Sequence, residues 1–528
     1  MKKFTYFQVV LLIFCLVALT ACSGDTNDRD DDNYSQTKPT DEGDTGNNQA
    51  EPTNGGEIVV GIQQDLDSLD PHKAVAAGTT EVLFNVFEGL VKPDSTGNLI
   101  PAVANSYEIS SDGKQYTFVL RDGIKFHNGE VVTVEDIVYS VKRSAGLLDT
   151  VDPSIVIESA LLNISEVNAV DEKTVEIKLK EGDTELLPYL TLAIIPKEYD
   201  QADTKPMGTG PFRFVSYQPL QSLVVEKFEE YWGDAAYLDK VTFKIVANTN
   251  SAFLELQGGT IDIYPYLTSD QAESLKDTLR IEEGNMNLVQ GLFLNNKKAP
   301  FDNQKVREAL NYAIDKQGVL DMVAAGSGDI IGSNMFSGFT KYYVEELKNY
   351  YSYDVEKAKE LLKEAGYDGT LSFTITVPSN YQYHVDTAQV ISEQLALAGI
   401  KANIQTVEWS AWLDDVYSKR NYEATIIGLD SNLAARNLME RYASTASNNF
   451  VNYQNAEYDK ELAAAIGAID ETQKIESYKK LQRILTETSA SIYLQDPPLL
   501  VAVNKKLGGY TFYPVYVQDM AKVYFTKK

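Results

Sequence analysis

The run "YEATIIGLDSNLAAR", residues 422–436, turns from apolar to polar within a few positions. Ala424, Thr425, Ile426 and Ile427 end at Gly428, and Asp430, Asn432 and Arg436 follow. A carboxylate attracts cations, an amide oxygen accepts a hydrogen bond without carrying charge, and a guanidinium grips carboxylates bidentately. Such a set is either the polar end of a buried strand, with Asp430 and Arg436 paired at the surface, or a place where a polar ligand is held. Two aromatic groups stand in the same third of the chain. "PSNYQYHVD" puts Tyr381, Tyr383 and His384 directly after the β-prone run "LSFTITV", and "VEWSAW" puts Trp409 and Trp412 after "KANIQT". Each group lies where a predicted strand gives way to a predicted helix. In open α/β sheets ligands bind outside the carboxyl ends of strands, so Tyr381, Tyr383, His384 and Trp409 are candidate ligand contacts. Packing of the aromatic rings in a core is the alternative.

Catalytic chemistry finds no support. The chain lacks G-x-S-x-G, H-E-x-x-H, a P-loop and G-x-G-x-x-G. Its three histidines, His72, His127 and His384, are far apart in sequence, and its two cysteines, Cys15 and Cys22, both precede the folded region. No local metal-ligand cluster and no disulfide framework is expected.

The elements that must position these residues are readable from periodicity. "KTVEIKLK" alternates apolar and polar as a half-buried strand. "TVEDIVYSVKRSAG" is a helix with Thr133 as N-cap and Asp136 three residues on, a capping-box pattern. "DNQKVREALNYAIDK" reads as one amphipathic helix capped by Asp302. "DVEKAKELLKEAGY" reads as another, with Asp354 as cap and Gly366 beyond its end. From residue 371 to 429 the order is strand, helix, strand, helix, strand, which implies parallel pairing. The 528 residues are too many for one core and predict two or three domains.

The N-terminus carries a different signal. Lys2 and Lys3 precede the apolar run "VVLLIFCLVAL", which is too short for an ordinary bilayer span and reads as a signal peptide. "LTAC" ending at Cys22 resembles a bacterial lipobox, implying cleavage before Cys22 and a lipid on its sulfur. Residues 23–56 are rich in Asp, Gly, Asn and Thr, almost without apolar side chains. They predict a disordered acidic tether. A net charge of −29 argues against nucleic-acid binding. The expected location is the extracellular face of a cell membrane, by lipid anchor.

Beyond this leader the chain resembles the oligopeptide, dipeptide and nickel-binding family of ABC-importer substrate-binding lipoproteins, extracellular solute-binding protein family 5. The resemblance rests on motifs in the family's order: "SLDPH" (68–72), "VFEGL" (86–90), "FVLRDGIKFHNGE" (118–130), "VEDIVYSVKR" (134–143), "GTGPFRF" (208–214), "EYW" (230–232), "VREALNYAIDK" (306–316) and "KAKELLKEAGY" (357–367). It implies an α/β, periplasmic-binding-protein-like clamshell of two lobes (type II, cluster C-like) with an extra third domain. Residues 57–88, 181–283 and 505–528 would form lobe I, 89–180 the extra domain, and 284–504 lobe II, after a signal peptide at 1–21 and a tether at 22–56. The implied function is capture of a solute, foremost a peptide, and its delivery to membrane permease subunits by a monomer that needs no cofactor or metal. A nickel chelate, metallophore or other small solute is the alternative ligand. His72 and His127 lie inside family motifs and are expected to orient loops. In peptide-binding members a Gly-Trp pair is followed, three residues after the Trp, by an Asp that pairs with the ligand's ammonium group. With Gly428 matched, Leu429 stands at the Trp and Asn432 at the Asp. Either Asp430 supplies the carboxylate from a shifted loop, or the ligand is carboxylated and Arg436 receives it.

Overall fold

The computed structural model describes residues 51–150 and 152–527. The expected signal peptide, the expected lipid-attachment site at Cys22 and most of the expected tether fall outside them. The described chain contains three main sheets. Seven strands form the first, in the order Arg280–Asn285, Pro498–Val503, Ile263–Tyr264, Glu57–Ile62, Lys240–Ile245, Ser222–Lys227 and Phe212–Gln218. Six form the second: Asp329–Ile330, Ile492–Asp496, Val289–Leu294, Ala424–Leu429, Ser372–Pro378 and Lys401–Val407. A four-stranded antiparallel sheet, Ala104–Ile109, Gln115–Leu120, Thr174–Leu179 and Ile164–Ala169, makes the third.

Local sequence explains most of these elements. Thr174–Leu179 alternates half-buried and buried residues along its length, so one face meets a core built with helix Val134–Ser144. That helix starts on the expected capping box: Asp136 N–H donates to Thr133 Oγ1 at 3.4 Å and Thr133 N–H donates to Asp136 Oδ2 at 2.8 Å. Val289–Leu294 is buried at every position, as a strand flanked on both faces must be. Helices Gln304–Ala313, Val355–Glu364 and Gln382–Leu397 bury their apolar stripes against one face of the six-stranded sheet, around Leu292, Ile375 and Ile426. Ser372–Pro378 pairs in parallel with both Lys401–Val407 and Ala424–Leu429, as the β-α-β-α-β order implies. No helix among the described residues is long and apolar enough to cross a membrane.

Three expectations change. The single helix expected from Asp302 is two: Asn303, not Asp302, caps Gln304–Ala313, the backbone becomes extended at Ile314, and Asp315 caps a second helix, Lys316–Ala324. Strand Pro498–Val503, assigned above to lobe II, pairs instead with Arg280–Asn285 in the seven-stranded sheet, and Val501 and Val503 join that sheet's core. A uniformly apolar run announces a buried strand without naming the sheet that buries it. Likewise Leu186, Tyr189, Leu190 and Ile194 pack in the core of the four-stranded sheet, beyond the boundary expected at 180.

The chain therefore passes between the two large sheets through two adjacent segments, Met286–Leu288 and Pro497. Met286 N–H donates to Pro497 O at 3.0 Å, so the two crossings are tied together. Asp496 sits at this joint, fully buried. Leu288 N–H donates to its Oδ1 at 3.0 Å, and its Oδ2 has no partner among the described residues. Burial, offset in part by that backbone bond, pushes its carboxyl up to about 8.

Candidate functional site

Two connected cavities open beside the joint. The larger is a trough of about 1450 Å³ whose walls come from the seven-stranded side (Phe84, Tyr516), the four-stranded side (Glu158, Ser159) and the six-stranded side (Asp430, Asn432, Asn437). The smaller is a chamber of about 110 Å³. Asp430, Arg441, Tyr417, Tyr516, Val75 and Ala77 line both, so the chamber adjoins the trough along these residues.

The chamber is aromatic because strand ends and one unusual turn aim rings at the same place. Tyr381, Tyr383 and His384 lead from strand Ser372–Pro378 into its helix. Trp409 opens the helical segment after Lys401–Val407, and residues Trp412–Ser418 wind as a π-helix. In this i→i+5 turn Trp412 stacks on Tyr417, five positions on, at 6.1 Å and 28°. Trp409 stacks on Trp412 at 5.3 Å and 6°, and Tyr381 meets Trp409 edge-on at 5.5 Å. From the opposite side Tyr266 stacks on Tyr516 at 5.7 Å, its hydroxyl donating to buried Glu81 at 2.7 Å. Burial, opposed by hydrogen bonds from Tyr266 and Gln518, pushes Glu81 up to about 7. Tyr381 Oη also donates to Gln64 Oε1 across the two sides. Gly428 lets Leu288 and His384 approach its strand: a Cβ there would lie 2.9 Å from Leu288 Cδ1.

Asp430 is a partly exposed charge at the junction. Its side chain is 33% exposed and faces Arg441 at 3.7 Å, too long for a full bidentate pair. Arg441 Nη2 donates to the Asp430 carbonyl and to Asn437 Oδ1, each at 3.2 Å. Asn432 lines the trough, where its Oδ1 accepts from Ala434 N–H at 3.2 Å and braces a loop containing Leu433 at φ +73°. A non-glycine residue in that region stores about 1–3 kcal/mol of strain.

Arg436 corrects the sequence reading. It is buried and lines neither cavity. Its Nη1 pairs with Asp183, its Nε donates to Glu440 Oε2 at 2.8 Å, and its guanidinium lies over the Tyr189 ring. The pairing considered between Asp430 and Arg436 is made by Arg441 instead, because the short helix Ala435–Met439 turns Arg436 inward and the following turn returns Arg441 to the cleft. His384 lines the chamber but is engaged: its Nδ1 accepts from Gln290 Nε2 at 2.7 Å, and Gln495 holds Gln290 in turn. Burial drives its pKa down to about 3, so the ring is neutral. His72 Nε2 donates to Ala193 O at 2.8 Å and His127 Nε2 to Gly210 O at 3.1 Å, both loop-fixing roles of the kind expected. Sequence reasoning missed Arg441, Tyr417, Tyr516 and Tyr266, the last of which follows a strand of only two residues, Ile263–Tyr264. It also missed Glu158, whose carboxyl burial pushes up despite the nearby Arg441 charge. Among the described residues no group of three or more His, Cys, Asp or Glu side chains is placed to hold a metal ion.

Two sheets joined by a paired crossing, with a trough between them, define a two-lobed solute-binding fold. The chain belongs to the bacterial extracellular solute-binding proteins, family 5, whose model matches residues 98–450. It is 30% identical to heme-binding protein A of Haemophilus influenzae over 466 residues, 78% of this chain and 82% of that protein. The structure of the oligopeptide-binding protein AppA from Bacillus subtilis with a nonapeptide is similar at TM-score 0.82 and 25% identity, over 90% of this chain and 100% of that one. The periplasmic binding protein DppA from Helicobacter pylori with the peptide STSA is similar at TM-score 0.82 and 27% identity, over 90% and 99%.

Proposed function

We propose that this protein is the lipid-anchored receptor of an ABC importer, and that its ligand is a peptide with a free N-terminus. One observation carries the reading: a trough of about 1450 Å³ whose wall includes the partly exposed, loosely paired carboxylate of Asp430. Small-molecule pockets usually occupy about 300–1,000 Å³, so the volume suits a ligand of several residues. The chemistry suits an ammonium group. Asp430 supplies the carboxylate that Asn432 lacks, and a charge-assisted bond to an ammonium group is about twice as strong as a neutral one.

In this mechanism ligand binding shifts a hinge equilibrium. The two crossings at 286–288 and 497 bend, and a peptide touching both sides stabilises the closed form. Permease subunits then read closure, and the ligand leaves unchanged, so no catalytic residue is invoked. The lipid on Cys22 and the tether keep the receptor at the membrane; labelled palmitate incorporation that survives in the parent and disappears in Cys22→Ala tests the anchor.

Isothermal titration tests the ligand. A free pentapeptide binds the parent tightly, its acetylated form weakly, and Asp430→Asn weakens the free peptide more than the acetylated one by about tenfold. Equal effects on both peptides argue against an ammonium contact. Binding of nickel with free histidine, and of no peptide, replaces the reading with the metal-chelate alternative.

A further inference from the structure

A second set of contacts joins the two lobes apart from the hinge, and most of its side chains line neither cavity. We propose that it is a clasp: segment 183–190, packed with the extra domain, grips lobe II, stabilises the closed form without help from a ligand and positions the loop that carries Asp430. This rests on the receptor reading of the fold and not on the class of ligand.

Three contacts build the clasp. The Arg436 guanidinium of lobe II donates to Asp183 and lies over the Tyr189 ring, while Glu440 accepts from Tyr189 Oη at 3.1 Å and from Ser159 Oγ. On helix Glu471–Glu487, Lys474 Nζ donates to Thr184 Oγ1 and Tyr478 Oη donates to Glu185. Ala434 joins a core whose other buried members all lie between Leu90 and Ile194. Asp183, Glu185, Arg436, Glu440 and Lys474 are all buried. Charged side chains tolerate burial only when they are partnered, and each of these five has a partner on the opposite side. Opening the lobes breaks every one of those contacts and returns the charges to water, so the two surfaces complement each other only in the closed form.

Asp183, Glu185, Glu440, Lys474 and Tyr478 line neither cavity, so the clasp is complete without a ligand. Asp430 and Arg441, which line both, bracket Ala434, Arg436 and Glu440 in one short segment. Seating the clasp therefore fixes the loop that presents Asp430. A receptor that is closed for part of the time before a ligand arrives binds every ligand more tightly by the same factor, because apparent affinity scales with the competent fraction.

Hydrogen exchange read by mass spectrometry on the ligand-free full chain tests the clasp. In the parent, segments 183–190 and 435–442 exchange slowly. Asp183→Asn keeps an acceptor for Glu185 N–H, and Tyr478→Phe removes only a hydroxyl. Each is expected to speed exchange in both segments about tenfold, with helix Val134–Ser144 exchanging as in the parent. Each variant alters one lobe, so a response on the other is the signature of a clasp. A response confined to the substituted side, or fast exchange of both segments in the parent, overturns it. Titration calorimetry with penta-alanine, free and acetylated, gives a second reading. Both variants weaken both peptides by one common factor of about 10, the size expected for a lost hydrogen bond to a charged group. Unequal losses put these residues in contact with the ligand and overturn the assignment. If neither peptide binds the parent, the peptide reading fails, and the exchange result alone decides the clasp.

Discussion

At the scale of single residues, the charges beside the cleft divide into those available to a ligand and those consumed by the protein. Asp430 is partly exposed with one loosely paired cation, Arg441, whereas Arg436 is held by Asp183, Glu440 and the Tyr189 ring. Glu440 also accepts from Tyr189 Oη at 3.1 Å and from Ser159. Removing the cation strands two buried carboxylates, which typically costs about 3–5 kcal/mol. Arg436→Gln is therefore expected to lower the thermal midpoint by several degrees in a melting experiment. An unchanged midpoint with lost ligand binding would return Arg436 to the ligand site. The candidates at strand ends, Tyr381, Tyr383, His384, Trp409 and Asp430, were legible because strand-to-helix transitions show in the sequence pattern. Arg436 and Arg441 were not distinguishable, since both follow the same loop and only the turn after Met439 decides which one faces the cleft.

At the scale of elements, caps and turns carry much of the local specification. Thr133 and Asp136 satisfy each other's backbone N–H groups, and Thr133→Ala is expected to cost about 1 kcal/mol, measurable by urea denaturation. Asp354, accepting from Lys357 N–H at 2.9 Å, and Gly366 at φ +89° punctuate their helix as the sequence suggests. The break at Ile314 is masked in the sequence because the apolar stripe of "VREALNYAI" continues through it, and its one local sign is the competing cap at Asp315. The π-turn at Trp412–Ser418 is equally hidden: no residue type marks it, and it shows in the structure together with the stack of Trp412 on Tyr417.

At the scale of the whole molecule, one buried acid marks the joint between the lobes. The Asp496 carboxyl ionises near 3.8 in an unfolded chain and near 8 here, where burial dominates and Asp329 adds like charge. Between those values the folded protein holds the extra proton, so stability falls as pH rises from about 4 to 8 and stays lower above. Asp496→Asn keeps an acceptor for Leu288 N–H without the charge. Its melting temperature is expected to match the parent near pH 4 and exceed it by a few degrees at pH 9; a pH-independent difference would contradict the assignment. The two-lobed plan and extra sheet followed from family motifs and strand order. The strand that crosses back, Pro498–Val503, was misplaced because hinge strands share their apolar character with both lobes.

What fills the trough is read most directly by mass spectrometry of the small molecules released from protein purified out of its own host. The expected result is a set of short peptides with unmodified N-termini. A single non-peptide solute, such as a metal chelate or a porphyrin, would contradict it.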